Sequence, residues 1–207
     1  MKKTITVLIL LVSTITFAQN QYTKGMQKAL QLWGEGKIVE ASNLFERIAT
    51  AEQDNWLPYY YVASVNTTAS FGETDVKKLT QQLEKAQEFI DVANTISPNN
   101  PEVLVQQALI YTAWIAFDGG TYGMTLGPKV TTIYAKVLKV APDNPRVVFS
   151  KAEWDIGSAT YFGQDTAPYC KDIERSLELF VNFKPESEFH PNWGQDRAER
   201  VLKNCKI

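Results

Sequence analysis

The chain has 207 residues, 44% of them hydrophobic, with 21 basic and 23 acidic side chains and a formal net charge of −2. This mildly acidic, interspersed charge lacks the basic footprint that neutralises phosphates, which argues against nucleic acid as a partner. The length is enough for one globular core or one short solenoid.

Residues 1–18 read as a secretory leader. Lys2 and Lys3 form a positive start, residues 5–12 an apolar run, and Thr16-Phe17-Ala18 a small-residue cleavage site. The run is shorter than the roughly 20 residues that span a bilayer. No cysteine follows it to accept a lipid, and no second stretch reaches spanning length. Loss of Lys2 and Lys3 leaves 19 basic residues against 23 acidic ones, a mature charge of about −4. The expectation is a soluble periplasmic or secreted chain, 19–207, forming a single domain. Its two cysteines, Cys170 and Cys205, read as one disulfide in an oxidising compartment. Two buried free thiols are the alternative, and the absence of Cys-x-x-Cys spacing weighs against a redox-active pair.

The mature chain begins with a run from Met26 to Trp33 that reads as a helix ending at a glycine. In the next run Ile38, Ala41, Leu44, Phe45, Ile48 and Ala49 fall at helical i, i+3, i+4, i+7 spacing. The phrase Gly36-Lys37-Ile38-Val39-Glu40-Ala41, with Phe45 four residues on, resembles the central signature of the tetratricopeptide repeat (TPR). There the small Ala41 permits close helix approach and Phe45 fills the space against the partner helix. With a period of roughly 34 residues, unit one spans 22–55 and unit two must begin at Trp56. A helical stretch does begin there, with Tyr59, Val62 and Ala63 at the large, apolar and small positions. Gly25 and Lys28 fill unit-one positions that such repeats give to large apolar residues, so its first helix is expected to pack loosely.

Unit two spans 56–100, and its second helix, 79–96, carries Ala86, Ile90 and Ala93 ahead of Pro98. Unit three spans 101–144, with Leu104, Ala108 and Tyr111 in its first helix and Val130, Tyr134 and Val137 in its second. Unit four spans 145–187, with Val148, Ala152 and Trp154, then Ile173, Leu177 and Phe180. The joints between these units are near copies, Ser97-Pro98-Asn99-Asn100-Pro101 and Ala141-Pro142-Asp143-Asn144-Pro145. A proline just past a helix stops it, and a proline at the first position of the next pre-sets its φ. A last helix, 193–205, carries Ala198, Val201 and Leu202 and caps the open end of the stack.

Units two to four all lengthen the turn between their two helices. Each expansion opens on an aromatic residue close to glycine: Phe71-Gly72, Phe117-Asp118-Gly119 and Phe162-Gly163. Glycine there supplies the left-handed residue that ends a helix, and the phenylalanine can close a contact beneath the turn. Three long loops are therefore expected side by side on one edge of the solenoid.

Asn144-Pro145-Arg146, Phe162-Gly163 and Pro191-Asn192-Trp193-Gly194 together resemble a family of exported TPR-like proteins of Gram-negative envelopes. The resemblance implies an all-α, TPR-like helical-hairpin solenoid of about four pairs plus a capping helix. It brings no catalytic residues.

Enzymatic constellations find little support. His190 is the only histidine and is expected in a partly exposed loop before Pro191, without the second ligand or acidic cluster of a metal site. No Gly-x-Ser-x-Gly elbow could present a nucleophile to it. Gly119-Gly120-Thr121-Tyr122-Gly123 lacks the Gly-Lys-Ser/Thr ending of a phosphate loop. Glu186 and Glu188 sit in a charged loop with nothing to desolvate them. No cofactor and no metal is expected.

The leading expectation is a non-enzymatic module that binds a protein or peptide partner in the cell envelope. On the concave face the register places Met26 and Leu30, Tyr60 and Ser64, Val105 and Leu109, Phe149 and Glu153. Repeats that clamp a terminal carboxylate use lysine and asparagine at these positions, and neither occurs there. The candidate contact residues are Tyr60, Val105, Leu109 and Phe149 in an apolar groove, with Tyr122 and Phe162 on the loop edge. Packing of the groove residues against the capping helix is the competing reading. The alternative function is a small-ligand binding protein, its pocket beneath the loops near Trp114, Tyr122 and Tyr161.

Overall fold

The computed structural model describes residues 20–205, so the leader lies outside the described residues. Among the described residues nine α-helices follow in order. They are α1 (20–34), α2 (Ile38–Ala51), α3 (Trp56–Ser70), α4 (Val76–Ile96) and α5 (Pro101–Phe117). Then come α6 (Gly119–Val140), α7 (Pro145–Tyr161), a 3-10 turn at Ala167–Tyr169, α8 (Cys170–Asn182) and α9 (Gln195–Cys205). The architecture is an all-α TPR-like solenoid of four helix pairs with α9 as its cap. No described helix is long and apolar enough to cross a membrane.

Local chemistry sets the helix starts. The side chains of Asn55, Asp75, Asn100, Asp118 and Asn144 each accept a hydrogen bond from a backbone N–H in the first turn that follows. The two joints share one scheme. Ser97 N–H donates to Ala93 O and Asn100 N–H to Ser97 O, while Ala141 N–H donates to Val137 O and Asn144 N–H to Ala141 O. Pro101 and Pro145 then open the next helices.

Helices α3, α5 and α7 form the inner layer. Eleven of the 15 residues of α3 are buried, so its polar members must find partners inside. Ser64 Oγ donates to Gln106 Oε1 and Gln106 Nε2 to Thr67 Oγ1, both at 2.9 Å, and Asn66 Nδ2 donates to Ser42 Oγ at 2.8 Å. The outer helices bury a single stripe, as with Leu79, Leu83, Ala86, Ile90 and Ala93 of α4. Ala41 and Phe45 are fully buried, and the Phe45 ring stacks on Tyr61 at 5.0 Å.

Three expectations are corrected. The first helix is tightly packed, with Met26 and Ala29 fully buried. A Cβ at Gly25 would lie 3.1 Å from Ile48 Cδ1, so the missing side chain is what lets α1 and α2 approach. The second correction concerns the expansions. Residues 117–128 are no loop: α5 ends at Phe117, Asp118 caps α6 directly, and Gly119, Gly120 and Gly123 lie inside that helix. Glycine costs about 1 kcal/mol against alanine within a helix. The Asp118 cap on Thr121 and packing along α5 offset it here. Likewise α4 begins at Val76 and α8 at Cys170, so helix extension absorbs much of the added sequence. Gly72 and Gly163 do take left-handed φ values of 89° and 65°. Third, Phe71 and Phe162 do not tuck beneath their turns; they are 46% and 67% exposed.

After α8 the chain forms a non-helical strap, residues 183–194, which folds back over the inner layer. Tyr61 Oη donates to Phe189 O at 2.9 Å, Trp193 Nε1 to Tyr60 Oη at 2.8 Å and Gln27 Nε2 to Glu188 Oε1 at 2.8 Å. The Phe189 ring meets Tyr22 of α1 edge-on at 5.5 Å. A disulfide, Cys170–Cys205, joins the start of α8 to the end of α9 with a Cα–Cα distance of 5.8 Å.

Candidate functional site

Two places concentrate chemistry. The first lies where the strap meets the inner layer. The two joints put opposite charges at the same register position, Glu102 after Asn100-Pro101 and Arg146 after Asn144-Pro145. These side chains meet in the interior at 2% and 0% exposure. Arg146 Nε donates to Glu102 Oε2 at 2.6 Å and Nη2 to Oε1 at 2.7 Å, a two-point pairing, and Asn144 Nδ2 adds a third bond at 2.7 Å. The Arg146 guanidinium lies over the Phe183 ring, 4.3 Å from its centroid. Burial alone pushes the Glu102 carboxyl up. The bonds from Arg146, the approach of His190 and the bond from Asn144 outweigh it and hold the carboxyl below the ordinary range.

His190 belongs to this cluster. Its Nε2 lies 3.6 Å from Glu102 Oε1 and its Nδ1 3.8 Å from Glu186 Oε2, and its ring meets those of Trp56 and Phe183. The expectation of a partly exposed histidine is therefore wrong, because the strap carries it inward to 8% exposure. Among the described residues no group of three or more His, Cys, Asp or Glu could hold a metal ion.

The second place is the edge where α3, α5 and α7 end. Met124, Tyr161 and Phe162 are 86%, 70% and 67% exposed. Tyr161 meets Phe162 edge-on at 5.1 Å, and Trp114 meets Tyr122 at 5.0 Å. Between these pairs α6 turns a glycine-rich side toward α7. A Cβ at Gly119 would lie 3.6 Å from the Tyr161 ring, and one at Gly127 4.0 Å from the Trp154 indole. Trp154 Nε1 donates to Thr131 Oγ1 at 3.4 Å across the same boundary, an edge slot that the Tyr161 and Trp154 rings fill in this structure. Helix α6 pairs chiefly with α5, and α7 with α8, so the α6/α7 boundary is thinly packed.

The expected contact residues divide between the interior and this edge. Tyr60, Val105 and Phe149 are fully buried, covered by the chain's own packing, and Leu109 is half-buried against the α5–α6 core. Tyr122 and Phe162 lie on the edge, each beside a second aromatic ring. No loop roofs Trp114, Tyr122 and Tyr161, since the segment expected to cover them is helix α6. Sequence reasoning missed Glu102, Arg146 and Trp193. The matched joints, with Glu and Arg in equivalent positions, carried the signal for the first two.

No known protein family matches the sequence, and no curated protein matches it. Among solved structures, the HusA haemophore from Porphyromonas gingivalis superposes with a TM-score of 0.78 at 21% identity, over 89% of this chain and 92% of that one. A thermophilic TPR protein from Thermus thermophilus aligns at a TM-score of 0.41 and 13% identity, over 89% of this chain and 98% of that one. The haemophore likeness is one of fold.

Proposed function

We propose that the chain is an exported, non-enzymatic binding protein whose edge slot takes a flat, apolar ligand of the porphyrin class. The observation that carries this reading is the exposed set Met124, Tyr161 and Phe162 beside a helix side stripped to glycine. Large apolar side chains left in water at one place mark a binding surface, and glycine lets a ring face approach the backbone. Trp154 to Tyr161 spans about 10 Å of helix at 1.5 Å per residue, a length that suits a macrocycle. The fold likeness to a haemophore supports haemin as the first ligand to test, and it points to no catalytic family. The disulfide fits a periplasmic or secreted location.

The test is a haemin titration followed by the Soret band and by quenching of tryptophan fluorescence, with Trp114 and Trp154 as reporters. We expect saturable binding, weakened about tenfold by Tyr161→Ala or Tyr122→Ala, roughly 1.4 kcal/mol for each aromatic ring removed. Absence of saturation, or affinity indifferent to both substitutions, would sink the reading.

A protein partner on the same edge is the second reading. Phe71, 46% exposed at the end of α3, favours it because it extends the apolar edge by one unit beyond the slot. Envelope crosslinking in which Phe71→Ala abolishes a specific product, while haemin affinity stays unchanged, would select it.

A further inference from the structure

We propose that the inner face is a groove for an extended aromatic peptide, and that residues 183–194 are its built-in occupant, holding it closed. The strap lies there as a bound peptide would. Its main chain accepts from Tyr61 Oη at Phe189 O, and Trp193 donates to Tyr60 Oη. It inserts Phe189, His190 and Pro191, while Lys184, Pro185, Glu186, Ser187 and Glu188 stay exposed. Main-chain capture with a few buried side chains is how extended peptides are held in grooves.

The occupant does not complete the groove. Arg146, with no exposed surface, has Nη1 buried without an acceptor on the floor beneath Phe183. A buried donor left open costs free energy that an acceptor would recover. A carboxylate or carbonyl presented at this point by another peptide would supply what the strap lacks. The favoured partner is thus an extended segment with an aromatic residue for the Phe189 position and an acceptor over Arg146. The strap competes through its tether. It joins α8 to α9, whose far ends the Cys170–Cys205 disulfide locks together, so its effective concentration at the groove is high.

The probe is a fluorescein-labelled synthetic peptide of residues 183–194, added to the full mature chain and followed by anisotropy. In the Phe189→Ala/Trp193→Ala variant the strap is weakened and the floor kept. This variant should bind the peptide at least about tenfold more tightly than the wild type does, because the tethered competitor is removed. A further Tyr61→Phe change should reduce that binding. Equal affinities for wild type and double variant overturn the proposal, as does no binding by a double variant that keeps its helical circular dichroism. Should that variant lose its fold, hydrogen exchange of the wild type decides. Amides of 183–194 exchanging well before those of α3 and α5 support a displaceable strap, and exchange only with global unfolding overturns it.

Discussion

At the scale of single residues the interior is set by one ion pair. Arg146 and Glu102 have left water almost completely, and their pairing offsets a desolvation cost of several kcal/mol per ion. Breaking it is therefore worse than removing it. We expect Arg146→Ala to lower stability by about 3–5 kcal/mol, because Glu102 is left buried and unpaired. Glu102→Leu with Arg146→Met should cost much less, and urea denaturation of both variants compares the two outcomes. The pH dependence has a definite sign. The Glu102 carboxyl is held below its ordinary 4.5 in the folded protein. It contributes stability that is fully present above the unfolded value and is lost as pH falls through the folded one. Urea midpoints should fall below about pH 4.5 more steeply in the wild type than in Glu102→Gln. Parallel curves would contradict that assignment. Gly194 is a second position where a single residue decides the local packing. Its φ is 115°, and a Cβ there would lie 2.8 Å from Phe180 Cζ. Gly194→Ala should cost about 1–3 kcal/mol, read as a lowered thermal midpoint.

At the scale of elements, what the sequence revealed follows from how strongly each element is written locally. Apolar spacing and capping residues made the inner helices, the stripe of α4 and both proline joints legible, and the TPR phrase around Ala41 and Phe45 set the register. Helix α6 was not legible, because Gly119, Gly120, Gly123 and Pro128 all argue for a loop when read locally. Tertiary packing on α5 decides otherwise, and only the Asp118-to-Thr121 cap hinted at it. The strap was illegible for a related reason. Phe189, His190 and Trp193 have no periodicity, and their partners lie 128 or more residues away for the bonds to Tyr61 and Tyr60. The edge was only partly readable: Tyr122 and Phe162 were expected on a loop edge, but Tyr122 is half-buried on a helix the sequence hid, and the exposure of Met124 on that helix went unread. Since the cap holds α6 at its weakest end, Asp118→Ala should fray it. Amides of residues 119–124 should exchange faster, and haemin affinity at the edge should drop with them, while those of α3 and α4 keep their protection.

At the scale of the whole molecule, the edge slot and the strap sit in different parts of the chain. The slot is built by α5, α6 and α7, whereas the disulfide closes a loop from Cys170 to Cys205 that contains α8, the strap and α9. The covalent bond acts mainly by restricting the unfolded chain, which for a loop of 35 residues amounts to roughly 3–4 kcal/mol in the chain-entropy treatment. Its removal should lower the denaturation midpoint of the whole solenoid without changing the rings that face the slot. Cys205→Ser should thus lose stability and keep haemin affinity within about twofold, as expected for distant, independent sites. Tyr161→Ala, on an exposed side chain, should do the reverse, keeping the midpoint and losing affinity. Chemical denaturation and haemin titration on the same two variants give four numbers. A loss of affinity in Cys205→Ser under conditions where the chain remains folded would mean that the locked α8–α9 pair positions the α7 end of the slot, and that the two regions work as one.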